Sequence, residues 1–67
     1  MQLTIPELEA ARDFLRQTQA NVLAVLVMFQ LGGYVDGAQR ATDIGGRIDD
    51  LIDAIEKLIA TSPGTKP

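Results

Sequence analysis

The chain has 67 residues, six Lys or Arg against nine Asp or Glu, a net charge of -3, and neither cysteine nor histidine. That composition excludes disulfides, thiolate or imidazole metal sites and histidine acid–base catalysis. The basic residues are scattered among acids, which disfavours nucleic acid, whose phosphates are held by clusters of Lys and Arg.

A chain this short makes one domain at most and buries only about 60% of the surface its unfolded form exposes. Disulfides, a metal or self-association usually stabilise such a chain. With no cysteine and no histidine, self-association is the device left.

The first element starts at Thr4, an N-cap residue with Glu7 three residues on, the spacing of a capping box. Leu3 and Leu8 flank the cap as a hydrophobic staple. Pro6 falls in the first turn, where its missing N–H costs nothing. Glu7 and Glu9 complement the positive end of the helix dipole. Leu8, Ala11, Leu15, Thr18, Val22, Val25 and Phe29 then recur at alternating spacings of three and four, the a and d places of a heptad. Gly32-Gly33 is a C-terminal stop. The first helix is therefore predicted over about 5–31.

Its strongest apolar run, Val22 to Phe29, falls short of the roughly 20 residues a spanning helix needs. No secretory leader is visible at the N-terminus. The expectation is a cytoplasmic protein with no membrane partner.

The turn is placed at 32–36. Asp36 is predicted to cap a second helix, with Gln39 completing another capping box. Ala41, Ile44, Ile48, Leu51, Ile55 and Leu58 repeat at helical spacing, and Ile52 and Ile59 widen the stripe. The second helix is predicted over about 37–61, with 62–67, "SPGTKP", as a flexible tail.

The predicted fold is all-α: an antiparallel two-helix hairpin in a single domain, 1–61, assembling as a homodimeric four-helix bundle or a higher helical oligomer. A turn centred on Tyr34 places Arg16 opposite Asp53, Arg12 opposite Glu56 and Glu9 opposite Lys57. Ala20, Leu23, Ala24, Val27 and Leu31 lie off the seam. A soluble monomer does not expose so much contiguous apolar surface, so these five are the predicted oligomer interface.

Few motifs carry chemistry. Gly45-Gly46 has no strand before it and no Lys-Ser/Thr after it, so it is not a phosphate loop. Gly45 borders the seam, where a missing side chain permits close helix approach or a ligand near the backbone. Gly46 points outward and weakens the helix. Asp43, Asp49, Asp50, Asp53 and Glu56 read as a solvated acidic face, with neither an EF-hand pattern nor a Glu-x-x-His motif. Arg40 is expected to pair with Asp36 or Asp43, and Arg47 with Asp43 or Asp50. In an oligomer, Tyr34, Arg40, Gly45, Gly46 and Arg47 are the candidate contacts for a ligand or partner. Thr18 and Asn21 place polar groups in or near the apolar stripe, where they can fix register. No hydroxyl has a base placed to activate it, so no enzyme, metal or cofactor is expected.

The function expected is that of a small non-enzymatic interaction or regulatory protein that binds a protein partner through its helical surface. In scale and outline the chain resembles the accessory proteins of bacteria and their phages. The alternative is an oligomeric binder that sequesters a small anionic or nucleotide signal, a reading suggested by similarity in size to helical phage anti-defence proteins. A third reading is a structural subunit of a larger assembly.

Overall fold

The computed structural model describes residues 3–61. Within them the chain forms two helices, α1 (Ile5–Gly32) and α2 (Val35–Thr61), packed against each other as an antiparallel hairpin. The predicted tail at 62–67 lies outside the described residues.

The start of α1 follows the sequence signal. Thr4 is extended, its hydroxyl accepts from the Glu7 N–H at 3.3 Å, and its own N–H donates to Glu7 Oε1 at 2.8 Å. Two backbone donors that the first helical turn leaves unpaired are thus satisfied reciprocally. The helix ends in a left-handed Gly33, φ 77°. The Gly33 N–H donates to the Gln30 carbonyl at 3.2 Å and the Tyr34 N–H to that of Phe29 at 2.9 Å. This pair of bonds is a Schellman motif, and the positive φ is what requires glycine there.

The connection is shorter than the spacing suggests. The Ala38 N–H donates to the Tyr34 carbonyl at 2.9 Å, so the helix is already under way at Val35. Asp36, predicted as the cap, is instead inside the first turn, where its carboxylate meets Arg40 at 3.3 Å. The backbone can reverse this tightly because Gly37 carries no side chain. A Cβ there would stand 3.1 Å from the Phe29 ring. Tyr34 closes the end, its ring edge-on to Phe29 with centroids 6.0 Å apart.

The seam follows the heptad reading on α1, with Leu26 in place of Val25, and is rotated from it on α2. Among the described residues only Leu8, Ala41 and Ile52 are buried. On α1 the half-buried line passes through Leu15, Val22, Leu26 and Phe29, leaving Val25 exposed. On α2 it follows Ala41, Gly45, Ile48, Ile52, Ile55 and Ile59. Ile44, Leu51 and Leu58, expected in the seam, are 49%, 51% and 55% exposed. The sequence holds adjacent apolar pairs, Val25-Leu26, Leu51-Ile52 and Leu58-Ile59, so two stripes one residue apart are available. The small residues Gly37, Ala41 and Gly45 lie on the flank that α2 turns toward α1, and Gly37 lets the helices approach closely beside the turn.

The cross-helix charges shift with it. Arg16 pairs with Glu56 at 2.7 Å rather than with Asp53, and Arg12 turns to its neighbour Asp13 at 3.2 Å rather than to Glu56. No ion pair joins Glu9 to Lys57. The radius of gyration is 15.3 Å, against about 11 Å for a compact chain of this length. The hairpin is a rod, and a rod of two helices has little interior.

Candidate functional site

Two helices can cover only one flank of each other, so the apolar residues left over define the candidate sites. The first is on the turn half of α1. Ala20, Leu23, Ala24, Val27 and Leu31 are all exposed, Leu31 at 84%. Spacings of three and four place them on one side of α1 as a continuous patch.

Beside that patch, a groove of about 440 Å³ runs between the helices. Its walls include Ala20, Leu23 and Leu26 from α1 and Ala41, Thr42 and Gly45 from α2. The groove exists because side chains are small or missing: no heavy atom lies within 4 Å of where a Gly45 Cβ would stand. Gly45 therefore does not hold the helices close. It opens a space between them, and the close approach expected there is made at Gly37 instead. A Cβ on Gly46 would also meet nothing within 4 Å.

Arg16 and Gln19 form the polar rim. Gln19 Nε2 donates to Asp49 Oδ1 at 3.2 Å and reaches the Gly45 carbonyl at 3.5 Å. Arg16 donates to Glu56 at 2.7 Å. Both rim groups are engaged within the hairpin, and no buried side-chain nitrogen or oxygen among the described residues is left without a partner.

The other predicted contacts do not converge on this groove. Arg47 is two residues from Gly45 and projects to nearly the opposite side of α2. Arg40 lies seven residues before Arg47 on that same outer side and is engaged with Asp36. No ion pair among the described residues joins Arg47 to Asp43 or Asp50. Tyr34 sits at the end of the rod, 66% exposed. No three acidic side chains of the described residues come together as a metal ion would need. Asp49 and Glu56 are instead occupied by Gln19 and Arg16. The Glu7 carboxyl is displaced: hydrogen bonds from the Thr4 backbone and then its side chain hold it below the usual carboxylate range.

The second candidate surface is the one that the heptad reading placed inside. Ile44, Leu51 and Leu58 form an exposed line along α2. The adjacent apolar pairs were the available signal for it, since a doubled stripe implies that one of the two remains outside.

No family model, curated protein or solved structure matches the chain. No helix among the described residues is long and apolar enough to cross a membrane.

Proposed function

We propose that this chain is a non-enzymatic interaction protein that binds a protein partner through the outer face of α1 in the turn half of the hairpin. The observation that supports this reading is the exposed patch Ala20, Leu23, Ala24, Val27 and Leu31. Covering a Leu or Val there is worth about 1.5–3 kcal/mol per side chain. The groove alongside has an apolar floor and a rim at Arg16 and Gln19, the form in which an amphipathic helix is received: apolar anchors inside, polar groups at the edge.

The rim also supports a second reading, a small anionic ligand held near Arg16. The protein reading is preferred because the rim donors stand beside carboxylates, Arg16 on Glu56 and Gln19 on Asp49. An anion there would meet that negative charge, whereas an apolar helix would not.

Capture from a lysate by the wild-type chain and by a Leu23→Asp/Val27→Asp variant tests the reading. Both positions are exposed, so the variant is expected to keep its helical circular dichroism and lose one specific protein. Equal capture by both chains sinks the proposal. A thermal-shift screen with nucleotides and inorganic phosphate tests the rival, because a ligand that binds only the folded form raises Tm.

A further inference from the structure

We infer that the other exposed face, the Ile44–Leu51–Leu58 line of α2, is a self-association surface on which a second copy of this chain packs. The face is continuous across both helices. Residues at sevenfold spacing fall in one line along a helix. Helical phase places Phe14 and Val25 of α1 on the same side of the rod, away from the groove flank where Gln19 meets Asp49 and Arg16 meets Glu56. All five are exposed, Phe14 at 74%.

The area calls for a cover of dimer size. The hairpin exposes 5234 Å², whereas a compact monomer of 7.2 kDa exposes about 4,100 Å². The excess, about 1,100 Å², is spread over the whole rod and leaves room for the roughly 800 Å² that each partner of a stable interface buries. A chain with three buried residues among those described needs that cover as it folds, and a second copy is the one partner present wherever the chain is made. The α1 patch is less suited to the task. It is confined to the turn half, so a symmetric overlap would leave the open half uncovered.

Charge near the turn on this side is balanced, since Arg40 is paired with Asp36 and Asp43 lies beside Arg47 along the helix, so the apolar line carries the contact. A two-fold axis across the rod at Leu51 sets Leu51 of each copy against that of the other.

The chain has no cysteine, so single-cysteine variants give a clean test. Leu51→Cys in the full chain is expected to yield a covalent dimer with a short bis-maleimide crosslinker, and Val27→Cys is not. By sedimentation equilibrium the wild type is expected to be dimeric, and Leu51→Glu, at a half-exposed position that tolerates it, to raise the dimer Kd roughly 30-fold or more. A monomeric wild type at hundreds of micromolar overturns the inference. So does crosslinking at Val27 without crosslinking at Leu51. Partner capture reads the other face, so a failure there appears in the Leu23→Asp/Val27→Asp pull-down and leaves these measurements unaffected.

Discussion

Gly37 and Gly45 lie eight residues apart on the same flank of α2, both facing α1, and do opposite things. At Gly37 the Phe29 ring stands 3.1 Å from the place of a Cβ. At Gly45 nothing lies within 4 Å. The first glycine draws the helices together beside the turn; the second leaves a gap between them further along. A glycine inside a helical stripe therefore tells only that a side chain is missing. Whether the space is filled by the opposite helix or left open depends on what that helix presents, here a phenylalanine in one case and Ala20 with Gln19 in the other.

That contrast can be broken most sharply at Gly37. Gly37→Leu is expected to destabilise the hairpin by about 1–3 kcal/mol, because the leucine must displace the Phe29 ring. Denaturant melts followed by circular dichroism measure it, and an unchanged midpoint would remove the contrast. Gly45→Ala and Gly46→Ala are each expected to stabilise by about 1 kcal/mol, the helix-propensity difference where no contact opposes it. A loss of stability at Gly45 would mean that the groove must stay open for the fold. A gain in stability with a loss of partner capture would instead assign the groove to binding.

Arg16→Met sharpens the comparison from the rim. The pair with Glu56 is half-exposed on both sides, so its loss is expected to cost about 0.5 kcal/mol at low salt and less at high salt. The smallest effect belongs to the far end. The Glu7 carboxyl is held below its usual range in the folded chain. Its contribution is therefore present above the unfolded pKa and lost as pH falls through the folded one. In an NMR titration Glu7 is expected to ionise below the usual glutamate range, and Thr4→Ala, which keeps the backbone donor, to return it only part of the way.

The parts of the fold legible in the sequence are those set by local backbone chemistry. The capping box at Thr4 and Glu7, the stop at Gly32-Gly33 and the helical period each depend on a few neighbouring residues. The rotation of α2 was not legible. Ile44, Ile48, Leu51 and Ile52 are all apolar, and periodicity does not say which line packs inward when both qualify. That choice is made by tertiary fit, through Gly37 against Phe29 and Ala41 into the seam. The candidate site divides the same way. The α1 patch could be read from residues left off any single stripe. The α2 face, the groove and its rim at Arg16 and Gln19 follow from the rotation. Within one hairpin Arg40 and Arg47 share the outer side of α2, away from Gly45.

The aromatic end of the rod has a practical consequence. The sequence holds one tyrosine and no tryptophan, and that tyrosine sits at the closed end with its ring edge-on to Phe29. Near-ultraviolet emission from this molecule is thus a local signal from the loop, blind to the open end, whereas far-ultraviolet circular dichroism averages over both helices. Recorded together during a melt, the two report whether the strands of the rod part from the free ends inward or come undone all at once, with no label attached.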